Sequence, residues 1–318
     1  MRITALAGGI GGARFLRGLL AAEPAAQVTV IGNVGDDITL HGLRVCPDLD
    51  TVMYTLGGGI HEGQGWGRAD ETFSVAQELG AYGVGPDWFT LGDRDIATHL
   101  VRTQMLEAGY PLSAVTAALC TRWKPGVKLL PATDDRAETH VVVSDGEGRR
   151  AVHFQEYWVR LHAPAAESIA FVGAEQAKPA PGVLEAIAQA DLILFPPSNP
   201  VVSIGAILAV PGIREALASS EGPVVGLSPI IGGAPVRGMA DKVLAAVGVE
   251  TSAAAVAEYY GADLLDGWLI HEGDAVQADR VRAAGIECHA LPLLMTDTAA
   301  TAAMATAALD LAARLGKK

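Results

Sequence analysis

Met1-Arg2-Ile3-Thr4-Ala5-Leu6-Ala7 runs directly into Gly8-Gly9-Ile10-Gly11-Gly12-Ala13-Arg14-Phe15-Leu16-Arg17-Gly18-Leu19-Leu20. The stretch reads as strand, glycine turn, helix. A short apolar run meets glycines at 8, 9, 11 and 12, and apolar residues then recur at helical spacing through Phe15, Leu16, Leu19 and Leu20. Such a turn aims backbone N–H groups and a helix N-terminus at one point. That point favours a phosphate, because first-turn amides lack intrahelical partners and the peptide dipoles align there.

Two standard phosphate loops do not fit. A P-loop ends in Gly-Lys-Ser/Thr, whereas this one ends Gly12-Ala13-Arg14. In the dinucleotide fingerprint Gly9 and Gly11 match the first two glycines, but Arg14 replaces the third. After the second apolar run, Val28-Thr29-Val30-Ile31, the acid that would hold an NAD ribose is replaced by Gly32-Asn33. The plain alternative is a turn whose glycines only let the helix pack closely on its strand.

The next segments carry acids. Gly32-Asn33-Val34-Gly35-Asp36-Asp37 and Leu43-Arg44-Val45-Cys46-Pro47-Asp48-Leu49-Asp50 both leave the carboxyl edge of the expected sheet, where ligands of open parallel sheets sit. Asp36, Asp37, Asp48 and Asp50 are therefore expected to converge on one pocket. Acids facing a phosphate loop recruit a divalent cation, with Asp37, Asp48 and Asp50 the proposed ligands; solvated turn acids are the alternative. Asp48 also reads as a helix N-cap.

Composition narrows the classes. The 318 residues, half of them hydrophobic, suit one large α/β domain spanning 1–318. A net charge of −13 argues against nucleic-acid or anionic-membrane binding. Cys46, Cys120 and Cys288 lack CxxC spacing, as expected for reduced thiols in a cytoplasmic protein. No apolar run approaches the ~18 residues of a membrane span.

Residues 57–67 are glycine-rich and loop-like, helical periodicity returns at 71–79, and Asp93-Arg94-Asp95 opens a further helix. Arg94 can fork onto oxygens and stack on a ring, with Asp93 and Asp95 holding its guanidinium; an exposed Asp-Arg pair at a helix cap is the alternative. His99, one turn on, reads as packing or hydrogen bonding. A helix at 112–122 completes a helical insert over 57–125. β-type segments follow at 127–131, 139–143 and 150–155, with a turn at 144–148, and define an antiparallel extension over 127–160. Gln155-Glu156-Tyr157-Trp158-Val159-Arg160 is expected to continue it, its aromatics packing in the core or lining a ring pocket.

Alternation of strand and helix then resumes, which predicts an α/β fold on a mostly parallel sheet. Asp191-Leu192-Ile193-Leu194-Phe195 ends in Pro196-Pro197-Ser198-Asn199-Pro200, and Pro223-Val224-Val225-Gly226-Leu227 ends in Ser228-Pro229-Ile230-Ile231-Gly232. With the opening loop, these turns are expected to form a nucleotide cradle. Strands at 264–270 and 286–291 and an alanine-rich helix at 299–315 close the chain.

Taken in order, GGIGGARFLRGL, GDD, PDLDTVMYTL, TLGDRDIATHLVRT, HFQEYWV, PPSNPVVSIGAIL, LSPIIGGAPVRG and VAEYYG resemble the CofD-type 2-phospho-L-lactate transferases of deazaflavin coenzyme biosynthesis over nearly the whole length. The GGARFL loop resembles the actinobacterial branch, associated with a phosphoenolpyruvate-derived donor. The resemblance implies a Rossmann-like, doubly wound core with an inserted helical region, Mg2+ as cofactor, and a homodimer. It implies transfer of a phosphoenolpyruvyl or 2-phospholactyl group from a guanosine diphosphate ester to the ribityl hydroxyl of a deazaflavin, releasing GMP. It further implies that Asp50 and Arg94 meet the deazaflavin. Gly9, Gly11, Gly12, Ser198, Asn199, Ser228 and Gly232 would then hold the guanylate, leaving Asp36, Asp37 and Asp48 as metal or base candidates. Two alternatives are a sugar-nucleotide-binding regulator, which shares the glycine turn, and a nicotinamide-dependent reductase.

Overall fold

The computed structural model describes residues 1–146 and 148–316, apart from the side chain of residue 145. The chain runs β1 (Arg2–Ala7), α1 (Gly9–Ala22), β2 (Gln27–Gly32), the hairpin β3 (Ile38–Leu40) and β4 (Leu43–Val45), then α2 (Pro47–Leu56). Next come α3 (Ser74–Ala81), α4 (Asp93–Glu107), α5 (Leu112–Trp123), β5 (Lys128–Pro131), β6 (Glu138–Asp145), β7 (Gly148–His153) and β8 (Ala166–Val172). The second half contains α6 (Val183–Ala188), β9 (Leu192–Phe195), α7 (Ala206–Leu208), α8 (Ile213–Ala218), β10 (Val224–Leu227), β11 (Ile230–Ile231) and β12 (Ala234–Pro235). It ends with α9 (Ala240–Ala246), α10 (Ala253–Tyr260), β13 (Gly267–His271), α11 (Ala278–Ala283), β14 (Glu287–Leu291) and α12 (Thr298–Leu315).

Seven strands form one parallel sheet in the order β14-β13-β10-β9-β1-β2-β5. The chain builds outward from β1 through β2 to β5, returns to β9 on the other side of β1, and then builds outward again. That reversal puts a topological switch point between β1 and β9, the Rossmann-like arrangement. Both faces are covered, as a parallel sheet requires. Leu192 and Leu194 pack with α1, α2, α5 and α12 on one face, while Ile193 and Phe195 pack with α6, α8, α9, α10 and α11 on the other. Among the described residues no helix is long and apolar enough to cross a membrane.

Two boundaries differ from the sequence reading. β5 does not belong to the antiparallel extension expected over 127–160; it pairs in parallel with β2 and closes one edge of the main sheet. The antiparallel unit is β7-β6-β8, which reaches residue 172. Residues Glu156–Arg160 form a π-type turn instead of strand, with Tyr157 fully buried in the core. An apolar run without clean alternation does not disclose its pairing partner, and a buried aromatic fits either geometry.

α1 crosses α12 at Gly18, where an added Cβ would lie 2.4 Å from Thr301 Cγ2 and 2.6 Å from the Thr301 carbonyl carbon. Gly18→Ala should therefore destabilise the protein by about 1–3 kcal/mol through overpacking. Urea unfolding is the check; an unchanged midpoint would show that the two helices separate without penalty.

Candidate active site

The switch point brings together the loop after β1 and the turn after β9. Their approach is closer than any side chain allows: a Cβ on Gly11 would lie 2.0 Å from Pro197 O, and one on Gly12 would lie 2.8 Å from Ser198 Oγ. Gly9 adopts φ +63°. Ser198 Oγ donates to Gly8 O at 3.0 Å and accepts from Gly8 N at 3.3 Å. The glycines thus serve close packing first, and they deliver the first turn of α1 to the crevice.

The other residues expected in the nucleotide cradle also have duties within their own turns. Asn199 Oδ1 accepts from Val201 N and Val202 N and caps the next helical turn. Ser228 Oγ donates to Ile230 O and accepts from Ile230 N. Gly232 N donates to the buried Asp274 carboxylate.

The four acids are all buried, but they divide into two groups. α2 begins with Pro47 at its first position after Cys46, so Asp48 lies inside the first turn and is not the N-cap. Asp48 and Asp50 are two residues apart and project from different sides of the helix. Asp48 turns to the glycine loop, where it takes the Gly9 N–H and, at 2.9 Å, a bond from Asn33 Nδ2. The same nitrogen donates to Asp36 Oδ1 at 3.0 Å. Burial, then the neighbouring Asp48 carboxylate, raises the Asp36 pKa well above the carboxylate range, and burial pushes Asp48 up to about 6. Among the described residues neither has a basic side chain within 4 Å.

Asp50 turns the other way, toward α4. Arg102 Nη2 donates to Asp50 Oδ1, and both side chains are almost wholly enclosed. Arg102 Nη1 lies 3.0 Å from His99 Nδ1; since a guanidinium only donates, Nδ1 accepts, and the ring proton sits on Nε2, 3.6 Å from Asp95 Oδ2. Tyr54 Oη donates to Asp95 Oδ1 at 2.6 Å. Among the described residues Asp50 Oδ2 has no hydrogen-bond partner, and burial raises the carboxyl pKa despite Arg102. Asp37 stands between the groups. Its carboxylate pairs with Arg44 at 3.2 Å, yet burial still pushes it up to about 6.

The four acids form a chain from Asp48 through Asp36 and Asp37 to Asp50, each close enough to raise its neighbour's pKa, while among the described residues Asp37, Asp48 and Asp50 do not bring one ligand atom each within 4.8 Å of one another. The arrangement that suits a hard divalent cation is Asp36 with Asp48, two carboxylates without an ion pair beside the α1 N-terminus. Asp50, Asp95 and His99 also bring one ligand atom each within 4.8 Å of one another, but Arg102 already supplies a positive charge there.

Arg94 is half exposed and 4.0 Å from Asp70. Its neighbours do not orient it: Asp93 accepts from Thr72, Ser74 and Val75, while Asp95 faces Tyr54 and His99. The sequence reading missed Asn33, Arg44, Tyr54, Asp95 and Arg102 as site residues. Helical spacing offered one signal, since Asp50 and Tyr54 are four apart and Asp95, His99 and Arg102 form an i, i+4, i+7 stripe.

The family profile described as 2-phospho-L-lactate transferase CofD matches residues 3–303. A protein of Streptomyces coelicolor named phosphoenolpyruvate transferase is 74% identical, covering 98% of each chain. Proteins of the same name from Thermobifida fusca and Mycolicibacterium smegmatis are 68% and 58% identical, covering 100% of both chains and 98% and 99% respectively. A solved structure of a UPF0052 family member from Bacillus halodurans shares the fold, with a TM-score of 0.62, 19% identity, and coverage of 97% of this chain and 98% of that one.

The raised carboxyl pKa of Asp48 has a signed consequence. Between an unfolded value of ~3.9 and the folded value of about 6, the folded protein keeps a proton that the unfolded chain has released. Asp48 therefore favours folding at low pH, and that contribution is lost as pH rises through 6. In EDTA, Asp48→Asn should gain stability relative to the parent between pH 5 and pH 7.5. Parallel urea midpoints for the two proteins across that range would contradict the assignment.

Proposed function

The chain belongs to the 2-phospho-L-lactate transferase CofD family, and from that membership we propose that it moves a phosphoenolpyruvyl group from a guanosine diphosphate ester to the ribityl hydroxyl of a deazaflavin. The hydroxyl oxygen forms the new P–O bond, the bridging P–O bond of the diphosphate breaks, and GMP leaves. The names of the relatives favour the phosphoenolpyruvyl over the 2-phospholactyl donor. The observation that carries the reading is the pairing of two unlike acid groups at the switch point. Asp36 and Asp48 stand at the α1 N-terminus without a counter-cation, and Asp50 is held by Arg102 with one buried oxygen unused.

In this reading Asp50 Oδ2 accepts the hydrogen bond of the acceptor hydroxyl and takes its proton. Arg102 and His99 keep that carboxylate in place. Asp37, tied to Arg44, adds negative charge beside the acceptor and is not a metal ligand. Arg94 is open to the solvent and free to stack on the deazaflavin ring. Asp36 and Asp48 would hold Mg2+, which when bound supplies charge neutralisation on phosphate oxygens. The three unpaired cysteines suit the cytoplasm.

Mixing the enzyme with deazaflavin and each donor should yield the phosphorylated deazaflavin by mass and an equal amount of GMP. EDTA should abolish both products, and Asp50→Asn should lower turnover by about 10²–10⁴-fold. Mg2+ should raise the melting temperature of the parent but not of Asp48→Asn. Nucleotide binding without GMP release would favour the regulatory alternative instead, and binding of NADH but not GDP would favour the reductase.

We also infer a homodimer formed through the helical insert. α3 buries none of its residues, and Phe73, Val75, Tyr82 and Val84 around it are exposed. Residues 73–84 carry one charge, Glu78, in a chain of −13, so this is a face where two copies can meet without repelling. Sedimentation equilibrium should show a dimer that Val75→Lys with Tyr82→Lys dissociates; a parent monomer would refute it.

A further inference from the structure

A diphosphate ester brought to a chain of net charge −13 needs local cations. The turn residues expected to hold it offer hydroxyls and amides already engaged in their own turns. Two arginines outside that set converge beside the crevice. Arg14, on α1, donates Nη2 to Glu62 O at 3.4 Å, and Arg237, just after β12, donates Nη2 to Gln64 O. Both border the same point of the 61–67 loop. A Cβ on Gly65 would lie 3.5 Å from Arg14 Nη2, 3.4 Å from Arg237 Nη1 and 2.8 Å from Cγ2 of Ile10, a residue of the first α1 turn.

Neither guanidinium has a carboxylate within 4 Å among the described residues. Arg17, one turn further along α1, is by contrast paired with Glu62 at 2.9 Å. Two like charges are therefore held at one place by neutral carbonyls alone, which compensate them less well than an anion would. A planar guanidinium forks onto phosphate oxygens, and two of them facing one point match the two phosphates of a diphosphate. Arg14 also occupies the position at which a dinucleotide fingerprint requires glycine, so the loop carries a cation where nicotinamide enzymes carry none.

We propose that Arg14 and Arg237 form the subsite for the donor's diphosphate, the carbonyls of the 61–67 loop holding both guanidiniums until phosphate oxygens replace them. This rests on the nucleotide-ester reading of the same crevice and names the groups that neutralise the ester's charge.

Calorimetry on the full chain with GDP and, separately, with inorganic pyrophosphate tests it. Arg14→Gln and Arg237→Gln keep a donor for the loop carbonyls and remove the charge. Each should weaken both ligands about 10-fold or more, as expected for loss of a charge-assisted hydrogen bond, and reduce the salt dependence of binding. Deazaflavin affinity, followed by fluorescence, and the melting temperature should stay at parental values. Parental GDP and pyrophosphate affinities in both variants would overturn the subsite and leave the transferase reading standing. Pyrophosphate binding lost in the variants, with no GDP binding by the parent, would keep the subsite and overturn the guanylate donor. A parent that binds neither ligand would overturn both.

Discussion

The carbonyl oxygen of Pro197 stands where any side chain at position 11 would begin. That contact joins the loop after β1 to the turn after β9, the two neighbouring strands at which the sheet reverses its order. Ser198 locks the approach by bonding both backbone groups of Gly8. The crevice is therefore a product of the fold, and the first turn of α1 is aimed into it. Everything else in the site is positioned relative to this junction. Asp48 reaches Gly9 because α2 packs against α1, and Asn33 reaches both Asp36 and Asp48 because β2 ends beside β1.

Burying four carboxylates around such a junction is costly unless each finds a partner. Asn33 serves two of them with one amide, Arg44 serves Asp37, and Arg102 serves Asp50. The compensation is incomplete: burial still raises the pKa of all four, and among the described residues one oxygen each of Asp37 and Asp50 has no partner. Folding alone would favour protonated or apolar residues at these positions. Poorly satisfied acids with raised pKa values, grouped at a switch point, mark a candidate functional site.

The framework of alternating elements was readable because apolar runs of strand length, bounded by glycine and proline, are strong local signals. β1, β9 and β10 lie within a residue or two of where periodicity places them, as do the starts of α4 and α5. The extension was less readable. Nothing within residues 127–131 says that they pair in parallel with β2, because register and direction belong to the partner strand. The helix cap at Asp48 was misplaced for a local reason, since Pro47 sets the first helical residue and leaves Asp48 free to point inward. Asp93 and Asp95 flank Arg94 in sequence, but successive helical residues point apart, so neither holds it.

By itself the sequence determined the chemical inventory, the period of each segment and, through its ordered motifs, the family. These are properties of short stretches, and short stretches carry them whole. Tertiary structure alone decided which groups meet. Asp50 and Arg102 are brought together by the packing of two helices, Asn33 and Asp48 by the end of a strand, and Arg14 and Arg237 by a loop whose carbonyls accept from both. Each pairing depends on directions and distances that develop only when the sheet closes. For that reason a motif could nominate Asp48 and Asp50 together, and only the folded chain could send one to the glycine loop and the other to the buried arginine.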